Sequence, residues 1–181
     1  MNAQQQVRTF ILRHSHGWLR SKQLFMQPFT TKVVNGKSVK CCRYGKSTVY
    51  LDKETKAAVD CHTVLQLANN TSYFSCVTLY IDLETFCEKT LGFRCRAYLL
   101  HELGHIYQAV FDTEAANNDS DNVSEEYAHM WAIRYAHEHK MKSVKQDLID
   151  QATEWWICDY ESYDRIYKQI CCEGYFNAYP F

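Results

Sequence analysis

The chain has 181 residues, 46% of them hydrophobic and 14% aromatic, which supplies apolar surface for one packed domain and excludes a disordered chain. Twenty Lys and Arg stand against 21 Asp and Glu, a formal net charge of -1 that argues against nucleic acid or an anionic membrane as partner. No apolar run approaches the roughly 20 residues of a bilayer span, and Arg8, Arg13, His14, His16, Arg20 and Lys22 interrupt the region where a secretory signal has its apolar core, so a cytoplasmic protein is expected.

A helix is expected from residue 3, with Val7, Ile11, Leu12, Trp18, Leu19 and Leu24 among its apolar positions; it runs to residue 24 unless Gly17 ends it. Asn35-Gly36, between Val33-Val34 and Ser38-Val39, signals a hairpin, because a two-residue turn of this kind needs positive φ. Residues 48–51 read as a strand, 56–67 as a helix, and 74–82 as a strand in which Val77, Leu79 and Ile81 alternate with Cys76, Thr78 and Tyr80. Helices are expected from there onward. The nine cysteines are odd in number and contain no CxxC, so the expectation is reduced thiols used as small apolar residues.

The segment 94–111 has a helical apolar stripe of Leu99, Leu103, Ile106 and Val110, widened by Leu100, Tyr107 and Phe111. Its remaining polar strip holds His101, His105, Gln108 and Asp112, with Glu102 at the edge. His101-Glu102-Leu103-Gly104-His105 is an HExxH sequence, which chance supplies about 0.02 times in a chain of this composition. Four residues is just over one helical turn, so both imidazoles project side by side and can bind one zinc ion, with Glu102 beside them for a water.

A catalytic zinc needs a third protein ligand and an open position. The HExxHxxGxxH pattern is absent, because Gln108 and Phe111 stand where it needs Gly and His. After a polar stretch over 112–122, a second helix is expected over 124–140, with Glu125, Ala128, His129, Ala132 and Ala136 on one face. The small alanines permit close approach to the HExxH helix, which makes Glu125 the first choice of ligand; Glu126, on a bulkier face, and His129 are the alternatives.

These residues resemble the zincin metalloproteases, and among them the gluzincins, in which HExxH is followed by a Glu on a later helix, here Glu125-Glu126-Tyr127-Ala128. The order of elements over about 74–136 is similar to the minimal gluzincins, including ImmA/IrrE-type peptidases, although His129 stands where that family commonly has Asn. The resemblance implies an α+β, zincin-like fold: a small, mainly antiparallel sheet packed on the active-site helix, followed by a C-terminal helical region. It implies one zinc on His101, His105 and Glu125, Glu102 as general base, and hydrolysis of protein or peptide substrates by a metal-activated water. A further group would hold the oxyanion, with His129, Tyr127, Tyr160 and Tyr163 open as candidates. The strand over 74–82 would be the edge that pairs with extended substrate.

The whole chain is read as one domain, with 1–70 an N-terminal helix, hairpin and helix, 71–140 the metal-site core, and 141–181 an aromatic-rich helical region and tail. The pairs His14/His16 and His137/His139, at spacings of two, read as solvated surface rather than metal pairs. The tail from Gly174 to Phe181 is aromatic and must dock on its own domain or on a protein partner. This leaves a second reading: a catalytically inactive zincin-fold module that binds a partner through that tail.

Overall fold

Asn2 begins the first helix, α1 (Ala3–His14), with a reciprocal capping box in which its side chain takes the Gln5 N–H and the Gln5 side chain takes the Asn2 N–H. The helix stops well before residue 24, because His16 and Gly17 both adopt positive φ, 45° and 86°, which a right-handed helix cannot contain. A short 3-10 turn (Ser21–Gln23) then leads into a strand that the sequence pattern does not reveal, β1 (Leu24–Pro28). The Arg8 guanidinium fastens this return, donating to the carbonyls of Leu24 and Ser21. The structure, a computed structural model, describes residues 1–44, 46–52, 55–66, 71–84, 91–111 and 121–155.

The hairpin forms as expected: β2 (Thr30–Val34) and β3 (Lys37–Tyr44) pair antiparallel around Asn35 and Gly36, at φ 51° and 75°. With β4 (Ser47–Tyr50) they make one three-stranded sheet whose outer strands are almost wholly exposed. A second sheet has the order β1-β6-β5, formed by β5 (Ala57–Gln66) and β6 (Thr71–Ile81), antiparallel to each other, with β1 parallel on the far side of β6.

Two expectations are corrected here. The segment 56–67 is not a helix but the strand β5, paired along ten positions from Ala57↔Ile81 to Gln66↔Thr71. Its successive residues Ala57, Ala58 and Val59 are all buried, since opposite faces of β5 meet two different apolar clusters; burial on both faces erases the alternation by which a strand is recognised. Strand β6 is central, not an edge, because the unforeseen β1 occupies its other side. Among the described residues the edges are β1 and β5.

Among the described residues three further helices follow in this α+β fold: α2 (Phe93–Phe111), α3 (Asp121–Glu138) and α4 (Lys142–Trp155). Leu99, Leu100, Leu103 and Ile106 of α2 are fully buried in one cluster with Val77, Leu79 and Ile81 of β6, Val7 and Ile11 of α1, and Leu148 of α4. Burial of each such side chain contributes about 1.5–3 kcal/mol, so the helix that carries HExxH is also the central support of the core. None of the described helices is long and apolar enough to cross a membrane. The five described cysteines, Cys41, Cys42, Cys61, Cys76 and Cys95, are free thiols.

Candidate metal centre

The contact between α2 and α3 is set by one glycine. A Cβ at Gly104 would lie 2.4 Å from the Ala128 carbonyl oxygen and 2.7 Å from the Ala128 Cα, so only hydrogen fits there and the two backbones touch. Ala128, Ala132 and Ala136, all fully buried, continue the small-residue face along α3. This close approach brings Glu125, one turn before His129, to the two histidines of α2.

His101, His105 and Glu125 form a group whose ligand atoms all lie within 4.8 Å of one another and which can hold a metal ion. The Nε2 atoms of His101 and His105 are 3.2 Å apart. Glu125 places Oε2 2.9 Å from the first and Oε1 3.3 Å from the second. Bonds of about 2.0–2.1 Å to a tetrahedral zinc put ligand atoms about 3.3–3.4 Å apart, close to the 3.2 Å between the two Nε2 atoms, and a carboxylate with one oxygen facing each ring supplies the third donor of a kind that ion takes.

The surrounding hydrogen bonds orient both rings toward this point. His129 Nε2 lies 2.5 Å from the Leu148 carbonyl oxygen, which only accepts, so Nε2 carries the proton. Burial, and then the neighbouring His101, lower the His129 pKa to about 3, so the ring is neutral and its Nδ1 is an acceptor. His101 Nδ1, 3.2 Å away, must then donate, which leaves the lone pair of His101 on Nε2. A parallel argument holds for His105: the Ser124 hydroxyl donates to Gln108 Oε1 at 3.0 Å and accepts from His105 Nδ1 at 3.3 Å. Both Nε2 lone pairs and the Glu125 oxygens therefore converge, and such a set of acceptors requires a cation between them. Without a metal a proton serves: burial lowers the His105 pKa, but the hydrogen bond to Glu125 and the charges of Glu102 and Glu125 outweigh it and raise it. Burial likewise pushes Glu125 up, yet when the rings are protonated toward it, in the metal-free state, bonds from His101 and His105 hold its carboxyl well below the usual range.

Glu102 is buried beside this group, 6% exposed, and among the described residues no side chain donates a hydrogen bond to it. Burial raises its pKa, His101 and His105 pull it down, and Glu125 adds to the rise. A buried carboxylate whose affinity for a proton is raised is a proton acceptor that can also give the proton back. Cys61 of β5 is also close enough to feel Glu102, but burial raises its pKa far out of the thiolate range, so it offers no anionic sulfur.

The alternatives for the third ligand, Glu126 and His129, and the oxyanion candidates fall differently. His129 supports His101 from behind, and both of its ring nitrogens are occupied. Glu126 is outside the ligand group, and Tyr127 packs at the margin of the core. Tyr160, Tyr163, the loop over 112–120 and the aromatic tail lie outside the described residues. Sequence reasoning assigned no role to Ser124 or to the Leu148 carbonyl; the signal for Ser124 was available, one residue before Glu125 and facing the noted polar Gln108.

No family model matches the chain, and comparison with curated proteins and with solved structures gives no match.

Proposed function

We propose that the chain is a zinc-dependent metallopeptidase. One observation carries the reading: the Nε2 atoms of two histidines and a carboxylate that turns one oxygen to each converge within 4.8 Å, beside a buried carboxylate to which no described side chain donates a hydrogen bond. A site built only to hold a metal has no use for that carboxylate. Zinc, when bound, supplies Lewis-acid activation of water and of a carbonyl oxygen. Glu102 takes the proton of the attacking water and delivers it to the leaving amine, so that each turnover consumes one water and one peptide bond. Strand β5, packed against α2 at the edge of its sheet, offers the backbone groups to which an extended peptide adds as a further strand.

The experiment is a comparison of wild type with Glu102→Gln. Both should carry one zinc per chain by elemental analysis, while hydrolysis of an unfolded protein such as casein falls about 10²–10⁴-fold in the variant. Stoichiometric zinc in a wild type that cleaves nothing in a broad peptide library would overturn the reading.

A further inference from the structure

About 9 Å further along α3 from His129, six residues at 1.5 Å each, Tyr135 marks a second polar cluster. Its hydroxyl lies 2.7 Å from His16 Nε2 and 3.1 Å from His14 Nδ1, and its ring stacks on His139 with centroids 3.9 Å apart. These histidines were expected on solvated surface as separate pairs; the fold brings three of them together from two segments about 120 residues apart. They line an open groove of about 780 Å³ together with Arg13 and Arg96, and among the described residues no Asp or Glu lines it. The groove is open to solvent, with Arg13, His16, Arg96 and His139 exposed along it and Phe10 and Leu91 buried at its base.

The charge of this groove is not explained by helix ends alone. Arg13 and His14 at the end of α1, and His139 just past α3, complement the negative ends of those helices. Arg96 does the reverse, since it stands near the start of α2, where a cation opposes the dipole, and the first turn of that helix holds no acidic residue. Arg96 Nε is held by the Leu91 carbonyl at 3.0 Å, which fixes the guanidinium at the groove wall, and neither Arg13 nor Arg96 has an acidic partner among the described residues. Burial and then Arg13, His139, His16 and Arg96 all depress His14, to about 4, and among the described residues no carboxylate counters them. Leu91, Phe10 and Met141 supply the apolar wall.

We propose that this groove is a binding site, separate from the metal centre, for a small organic anion: a carboxylate or phosphate held by Arg13, Arg96 and the histidines, on an apolar body lying against Phe10, Leu91 and Met141. The guanidinium groups pair with the anionic oxygens, and the Tyr135–His139 stack forms a rigid wall.

The test is a titration followed through the histidine ring resonances by two-dimensional NMR, using phenyl phosphate, benzoate, inorganic phosphate and uncharged benzyl alcohol as probes. At least one aromatic anion should give saturable shifts at His14, His16 and His139, with benzyl alcohol silent, and the stronger of phenyl phosphate and benzoate identifies the head group. Exposed Arg13 is replaced first, because Arg13→Gln leaves the core untouched; that variant should weaken the aromatic anion at least tenfold, and Arg13→Gln/Arg96→Gln should abolish saturation. The same shifts must appear with and without zinc, which separates this site from anion binding at the metal. Absence of saturable shifts, or shifts of equal strength in the double variant, would overturn the proposal.

Discussion

His129 Nδ1 sits 3.2 Å behind His101 Nδ1 in a buried contact, while His129 Nε2 is fixed on the Leu148 carbonyl of α4. The direction of the His101 ring is thus decided by a main-chain oxygen on a helix that supplies no ligand atom. Replacing His129 with Ala removes the acceptor and strands the His101 N–H in the interior. Zinc affinity should fall about 10–100-fold in His129→Ala, measured by competition with a chromophoric chelator, with a smaller loss for Ser124→Ala, whose bond to His105 is longer and less buried.

Gly104→Ala is expected to be far more damaging than its size suggests. The added methyl would overlap the Ala128 main chain, which has no rotamer by which to yield, so α3 must move away from α2. A cost of about 1–3 kcal/mol or more follows from overpacking, together with loss of Glu125 from the ligand group. Chemical denaturation and zinc titration of the same variant should show both losses; a variant with wild-type zinc affinity would contradict the backbone contact.

Zinc binding should release protons at neutral pH. In the metal-free protein the raised pKa of His105 keeps a proton at the point where the ligand atoms converge, and the metal must displace it. Calorimetric titration in two buffers of different ionisation enthalpy gives the number released, expected to be measurable and to come with weaker binding as pH falls. Equal heats in the two buffers would rule out the displaced proton.

Folding stability should depend on His14 below neutral pH. Its pKa is about 4 folded against 6.5 unfolded, so between these values the unfolded chain binds a proton that the folded chain does not. The stabilisation is fully present above pH 6.5 and is lost as pH falls toward 4. Denaturation midpoints of wild type should therefore drop more steeply between pH 7 and 4.5 than those of His14→Gln, which cannot titrate.

What could be read from the sequence was what repeats locally. The 3.6-residue stripe of α2, the HExxH spacing, the alanine face of α3 and the Asn35-Gly36 turn each lie within a few turns of chain, and each is found where the pattern put it. The misses are non-local. Strand β5 looks helical because two helix-favouring alanines open it and its buried faces hide the alternation; pairing with β6 decides its conformation. Strand β1 is short and is held by a parallel partner some fifty residues later. The support of His101 by Leu148 is a main-chain contact, for which no side-chain motif exists.

The bond from His129 to Leu148 makes α4 a thermodynamic partner of the metal. Any ligand that binds only the docked arrangement stabilises everything that arrangement requires, by about 4 kcal/mol at a thousandfold excess over its dissociation constant. Zinc should therefore slow hydrogen exchange not only at His101, His105 and Glu125 but along α4, and detachment of α4 should loosen zinc by the same factor, because linkage is reciprocal. A helix without a single ligand atom would in this way report, through its own opening rate, whether the metal is bound.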